Sequence, residues 1–198
     1  MTRLERLVLC TGNTGKVVEL SALLGTTVEI LSLSGVGLPL DLPETGDTLH
    51  ANALQKARYA YTRCGLVCLA DDTGLEVDAL NGAPGVYSAR YAGEAKDPVA
   101  NMARLLQEMS DRTDRTARFR TVLALVTADG ERTFEGTVEG SITHVLRGSG
   151  GFGYDPVFQP MGQERTFAEM DAATKNSMSH RARAMRSAMD HLATLARR

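Results

Sequence analysis

The sequence predicts a mixed α/β fold in which helices flank an elongated β-sheet, and three observations carry that expectation. Leu7 to Cys10 is a short apolar run that leads through a glycine-rich turn into a helical pattern, the beginning of a strand–helix unit. Residues 118–139 read as two β-type runs joined by Ala128-Asp129-Gly130, an antiparallel hairpin. The 198 residues show no seam between independent parts, so a single domain over 1–198, with room for two lobes, is expected.

Composition narrows the function classes. A formal net charge of −2, with both signs scattered along the chain, excludes the electrostatic footprint of a protein that coats nucleic acid. A small anionic ligand is compatible with it. The three cysteines, Cys10, Cys64 and Cys68, lack metal-site pairing and read as thiols of a reduced compartment, which points to the cytoplasm. Met1 to Arg6 is charged and leads into an apolar segment too short for a signal core or a membrane span, so no membrane association is expected. Only four lysines occur, Lys16, Lys56, Lys96 and Lys175; every other basic side chain is arginine. A compact ammonium is not interchangeable with a planar guanidinium, so each lysine is informative.

Taken in order, Thr11-Gly12-Asn13-Thr14-Gly15-Lys16 follows the first strand and precedes a helix with Val17, Leu20, Leu23 and Leu24 on one face. Backbone N–H groups at a helix start, two glycines and one lysine make either a phosphate seat or a plain polar turn. It is not a Walker A loop, which needs glycine at Cys10 and Ser or Thr at Val17. Val28 to Leu31 reads as a strand. A loop punctuated by Gly35, Gly37, Pro39 and Pro43 then ends in Glu44-Thr45-Gly46. Asp47 or Thr48 caps a helix whose Leu49, Ala53, Ala57 and Ala60 form a small-residue face. Asn52 and Lys56 are neighbours on another face, where an isolated lysine is most often solvated.

Leu66 to Ala70 is a buried-strand pattern that stops at Asp71-Asp72-Thr73-Gly74. Carboxylates at such a strand end either hold a hard metal ion or cap a turn. Leu75 to Leu80 alternates, and Asn81 to Gly85 is a turn-rich loop. Val86 to Gly93, with Tyr87, Arg90 and Tyr91, is read as loop packing or a subunit contact. Asp97-Pro98 starts a helix that turns Met102, Leu105, Leu106 and Met109 inward. After the hairpin, a third strand is expected over Ile142 to Leu146. Gly148 to Phe158 crowds glycines around Phe152, which suits a loop over a flat ligand, the alternative being a wide turn with the ring tucked inside. Thr174 to Arg181 opens the last helix, with Ser177 or Ser179 as cap and Ala182, Met185, Met189, Leu192 and Leu195 inward. Its cationic first turn opposes the helix dipole unless an anion binds there.

These segments, in order and spacing, resemble the inosine triphosphate pyrophosphatase family. The match rests on Thr11-Gly12-Asn13-x-x-Lys16, Glu44-Thr45-Gly46, Asn52-Ala53-x-x-Lys56, Ala70 to Gly74, Gly82 to Tyr91, Gly150 to Pro156 and Ser179-His180-Arg181. The resemblance implies two lobes with a cleft between them, a homodimer, a Mg2+ requirement, and hydrolysis of ITP, dITP and XTP to the monophosphate and pyrophosphate. It places Thr11, Gly12, Asn13, Thr14, Gly15, Lys16 and Lys56 at the phosphates and Glu44 and Asp72 at the metal. Asp72 becomes the proton acceptor and Thr73 a substrate contact. It sets Phe152, Gly153, Tyr154 and Asp155 around the purine and Lys175, His180 and Arg181 on its edge. One departure stands out: Ala51 occupies a position where the family often has Glu. A nucleotide-binding module without catalysis and a phosphatase for other small esters are the rival readings.

Overall fold

The computed structural model describes residues 6–25 and 28–195, with side chains through residue 192. The charged lead Met1 to Glu5 and the side chain of Leu195 lie outside the described residues. The elements are β1 (Arg6–Leu9), α1 (Thr14–Leu24), β2 (Glu29–Ser32), α2 (Leu49–Cys64), β3 (Cys68–Val77), β4 (Pro84–Gly85), α3 (Pro98–Glu108), β5 (Thr116–Thr127), β6 (Gly130–Ile142), β7 (Phe158–Pro160), α4 (Ala172–Met178) and α5 (His180–Leu195). One sheet runs in the order β2, β1, β3, β5, β6, β7, with β4 paired to β3. β1 is parallel to β2 and β3, whereas β4 and β7 are antiparallel to their neighbours. The sheet is mixed, as the sequence predicts.

The chain forms two compact units. Unit 1 comprises Met1–Asp72, Thr121–Gly136 and Arg181–Arg198; unit 2 comprises Thr73–Arg120 and Thr137–His180. In unit 1, Leu7 and Leu9 of β1, Leu69 of β3 and Leu123 and Leu125 of β5 pack against Leu20 and Leu24 of α1 and Ala184, Met185 and Ala188 of α5. The intervening Val122, Ala124 and Val126 are buried too, so this half of β5 is covered on both faces. α2 buries Leu49, Ala53, Ala57 and Ala60, the small-residue face expected of it, and its outer side is tied to β6 by Arg58 with Glu131 and His50 with Thr133. In unit 2, α3 begins at the Asp97 cap and carries Met102 and Leu105 into a core with Phe119, Phe158 and Phe167; Met109, just past its end, joins them.

Three expectations are corrected. β3 does not end at Asp71-Asp72: it continues to Val77, because Gly74 lets the Gly85 carbonyl of β4 approach to where a Cβ would stand, 2.6 Å away. β6 likewise runs through Gly140 to Ile142, and no strand forms over 143–146. Gly140 faces Pro160 across the ladder, and the Phe158 ring lies against it, so this glycine serves close packing rather than a turn. The last helical region is two helices. Asp171 caps α4, Ser179 is extended, and α5 starts at His180. Of the residues expected inward on α5, Ala182 and Met185 are buried and Leu192 is partly buried against the unit 1 core, whereas Met189 is exposed at 37%; Arg181, Ala184 and Ala188 join the buried face.

Candidate active site

The geometry begins where β1 stops. Leu9 pairs with Leu69, and Cys10 N–H reaches the Leu69 carbonyl at 2.8 Å, after which the chain leaves the sheet. β3 runs on past that point, so Asp71 and Asp72 emerge beyond the carboxyl end of their parallel neighbour. In open α/β sheets that is the usual position for a ligand. The departing loop is closed by Thr11, whose hydroxyl accepts from Asn13 N–H at 3.2 Å, and by Asn13, whose side chain caps α1 through Lys16 N–H at 3.1 Å. Thr14, Gly15 and Lys16 form the first helical turn rather than loop. The amides of Thr14 and Gly15 have no acceptor among the described residues, the arrangement that suits an anion. Gly12 has no room for a side chain, since the Leu40 carbonyl oxygen lies 2.6 Å from where its Cβ would be.

Strand alternation separates the two aspartates. Successive side chains point to opposite faces, so Asp71 shares the face of Leu69, toward α1 and α5, and Asp72 takes the other, toward α2. The contacts follow. Asp71 Oδ2 is 2.9 Å from Lys16 Nζ and 3.5 Å from Arg181 Nε, and Arg181 is also paired with Glu19 of α1. Asp72 Oδ1 is 3.3 Å from Lys56 Nζ, which is hydrogen bonded to Glu44 as well. Lys56 is 5% exposed, so the solvated reading of this lysine is replaced by a buried ammonium shared by two carboxylates. Gly46 N–H and Thr45 N–H donate to Asn52 and Gln55 of α2 at 2.7 and 2.9 Å, fixing the segment that carries Glu44. At the cationic start of α5, Arg181, 1% exposed, meets two carboxylates of the protein.

Charge and burial set the protonation states. Burial raises the Asp72 carboxyl above the ordinary carboxylate range, Lys56 and Lys16 oppose that, and Glu44 and Asp71 reinforce it. For Asp71, burial pushes the same way, but Lys16, Arg181 and Lys56 outweigh it and hold the carboxyl well below the usual range. Burial lowers the Lys16 ammonium despite Asp71. Burial works against the Lys56 ammonium too, but Asp72 and Glu44 prevail and raise it. The two neighbouring carboxyls are thus driven in opposite directions, Asp71 below and Asp72 above the ordinary range. Asp72 Oδ2 is buried with no hydrogen-bond partner among the described residues.

That orphaned oxygen is also the test of a metal. Glu44 and Asp72 converge on one cation, the Lys56 ammonium, and offer hard oxygen donors from two carboxylates. This is the set by which Mg2+ is commonly held together with substrate phosphates. The residues fit the ion. Asp71, on the other face, is engaged by Lys16 and Arg181.

Unit 2 holds the remaining predicted residues. Thr73 follows Asp72 in β3. Asp155, buried, accepts from Phe152 N–H at 2.8 Å and from Lys175 Nζ at 2.5 Å. The Lys175 ammonium stands 5.0 Å from the centroid of the Phe152 ring, which is partly exposed rather than tucked inside. Lys175 belongs to α4, not to the last helix. Gly153 and Gly151 have positive φ, 62° and 69°, conformations that favour glycine. Tyr154 is buried, and its hydroxyl donates to the Ser88 carbonyl at 2.9 Å. His180, buried, stacks on Phe119 with centroids 4.6 Å apart. Glu19 was not foreseen. As the only acid in α1, one turn after Lys16, it is the signal that would have marked it.

Fold and site together define a class: a mixed α/β protein in which a strand-to-helix loop and buried lysine–carboxylate pairs suit a polyanion, with a glycine-rich loop presenting an aromatic ring. The chain belongs to the Ham1 family, whose pattern matches residues 7–191. It is similar to a dITP/XTP pyrophosphatase of Porphyromonas gingivalis, 51% identical over 190 residues that cover 96% of this chain and 98% of that protein. One from Streptomyces coelicolor is 45% identical, covering 92% of this chain and 94% of that protein. Among solved structures, the Staphylococcus aureus Ham1 protein superposes with a TM-score of 0.87 at 36% identity, over 96% of this chain and 99% of that one.

Proposed function

We propose that this chain is a nucleoside triphosphate pyrophosphohydrolase that converts ITP, dITP and XTP to the monophosphate and pyrophosphate, clearing non-canonical purines from the nucleotide pool. The observation that carries the reading is the division of β3. One aspartate is neutralised by Lys16 and Arg181 on one face, and the other is held with Lys56 and Glu44 on the opposite face. Near-complete matches to proteins named dITP/XTP pyrophosphatase support the substrate class.

In this assignment the first-turn amides of α1, Thr11, Gly12, Asn13 and Lys16 bind phosphate oxygens, and Lys56 adds charge beside them. Water attacks the α-phosphorus and loses its proton to Asp72, whose carboxyl burial raises above the ordinary range, the direction that makes its carboxylate a better proton acceptor. The bond from the α-phosphorus to the bridging oxygen breaks, and pyrophosphate leaves with its charge opposed by the lysines. Glu44 and Asp72 would hold Mg2+, which when bound supplies charge neutralisation to the phosphates. Thr73 contacts substrate. Phe152 stacks on the purine, Gly153, Tyr154 and Asp155 shape its pocket, and Lys175, His180 and Arg181 read its edge. A donor directed at a 6-oxo group meets another donor when adenine is bound, and an unpaired buried polar group of that kind discriminates strongly. We further assign a single functional domain over 1–198, a homodimer and a cytoplasmic location. The free thiols Cys10, Cys64 and Cys68 support the location. Among the described residues no helix is long and apolar enough to cross a membrane.

A panel of nucleotides assayed separately for pyrophosphate and orthophosphate tests the proposal. Pyrophosphate from ITP and XTP, with little turnover of ATP, is the expected result; orthophosphate as the product overturns it.

A further inference from the structure

The turn Gly82 to Tyr91 has no part in the chemistry above, yet its polar groups are spent with unusual economy. Ser88 is 7% exposed. Its hydroxyl donates to the Gly85 carbonyl at 2.6 Å and accepts from Leu75 N–H at 2.9 Å. Leu75 lies three residues past Asp72 and is itself buried. β4 is only two residues long, so Ser88 takes up the Leu75 amide beside that short ladder. From the other side, Asn101 of α3 donates to the Ala89 carbonyl at 2.9 Å and accepts from Ala92 N–H at 2.6 Å. The turn is therefore fixed to β3 by Ser88 and to α3 by Asn101.

What this rigid turn presents is the Ser88 carbonyl, and its partner is the Tyr154 hydroxyl at 2.9 Å. Tyr154 sits in a loop with glycines of positive φ at 151 and 153, a segment with little stiffness of its own. Asp155 anchors that loop through Phe152 N–H and Lys175, and Gly150 N–H is held by the Ala168 carbonyl at 3.0 Å. The Tyr154–Ser88 bond is a further anchor, and it ties the loop to the turn.

We propose that Ser88 is a positioning residue for purine selectivity: its side chain locks the turn whose carbonyl holds Tyr154, and so sets where the Phe152 loop stands. The inference rests on the nucleotide reading above. It assigns a task to the Gly82 to Tyr91 motif that binding of phosphates does not require.

The test uses the full chain with Ser88→Ala, Tyr154→Phe and the double variant. kcat and KM are measured for ITP and ATP, and binding of inorganic tripolyphosphate, which has no base, is measured by calorimetry. Each single variant is expected to lower the ITP-over-ATP ratio of kcat/KM about tenfold, chiefly through KM, as for loss of one buried hydrogen bond. The double variant should be no worse than the more affected single, and tripolyphosphate affinity should stay within about twofold. An unchanged ratio, effects that multiply in the double variant, or an equal loss of tripolyphosphate binding overturns the proposal. Should Ser88→Ala not fold, Tyr154→Phe decides alone by the same ratio. If the unaltered protein does not prefer ITP, the nucleotide reading fails instead. Ser88 is then judged by amide hydrogen exchange, which Ser88→Ala should accelerate at 151–155 and leave unchanged at 11–16; no acceleration at 151–155 overturns it.

Discussion

Replacing Lys56 by methionine removes a cation that Glu44 and Asp72 share and keeps the side-chain volume. The Lys56 and Asp72 side chains are 6% and 11% exposed and Glu44 is 26% exposed, so two carboxylates would face each other with little water to screen them. Breaking a buried pair by deleting one partner costs about 3–5 kcal/mol, and the partial exposure of Glu44 places this case near ~3. At ~2–4 °C per kcal/mol for a chain of this length, the melting temperature falls by about 6–12 °C at neutral pH. The pH dependence follows from the shifts. The Lys56 contribution, from a raised ammonium, is complete below the unfolded lysine value of 10.5 and is lost as pH rises through the folded value. On the acid side, Asp72 protonates before an ordinary carboxylate because its value is raised, and the repulsion that the variant suffers disappears with it. The deficit should therefore be widest between those limits. Thermal unfolding of both proteins across pH, with and without Mg2+, measures this, and Mg2+ should return part of the loss in the variant. A fall of less than about 2 °C, below what 1 kcal/mol produces, together with a deficit that ignores pH, would refute the reasoning.

Three further outcomes are expected. The pH profile of kcat/KM should be bell-shaped: activity is lost in acid as Asp72 gains a proton, above the ordinary carboxylate value of 3.8, and lost in alkali as Lys16 sheds its proton, below 10.5. Phe152→Ala should raise KM for ITP by about 5- to 150-fold, the ~1–3 kcal/mol of a base stacked on an aromatic ring, while tripolyphosphate binding measured by calorimetry is unchanged. Asp97→Ala, which removes the α3 cap bonded to Val99 N–H at 2.9 Å, should lower the melting temperature by about 2–4 °C with kcat and KM intact.

Local chemistry made much of the fold legible. The Asp97-Pro98 start of α3, the alanine face of α2, the Ala128-Asp129-Gly130 reversal and the strand–loop–helix at the beginning all depend on neighbours in sequence, and each is found. Glycine misled the reading at Gly74 and Gly140, because a missing Cβ admits another strand as readily as it permits a turn, and only the pairing partner distinguishes the two. Ser179 divides α4 from α5 through its extended backbone, a break that polar residues alone do not announce. At the site, residue types pointed to an anion and a cation, but the division of work between Asp71 and Asp72 lies in strand alternation combined with helices from distant sequence. The cationic start of α5 suggested an anion, and the sequence did not show that Arg181 is also paired with Glu19 and Asp71, which only folding brings to it.

The central claim is that water attacks the α-phosphorus with Asp72 taking its proton. Hydrolysis of ITP in water enriched in heavy oxygen, followed by mass analysis of the products, tests it most directly. The label is expected in the monophosphate alone, with turnover nearly abolished in Asp72→Asn. Label in pyrophosphate or orthophosphate, or full activity in that variant, would contradict it.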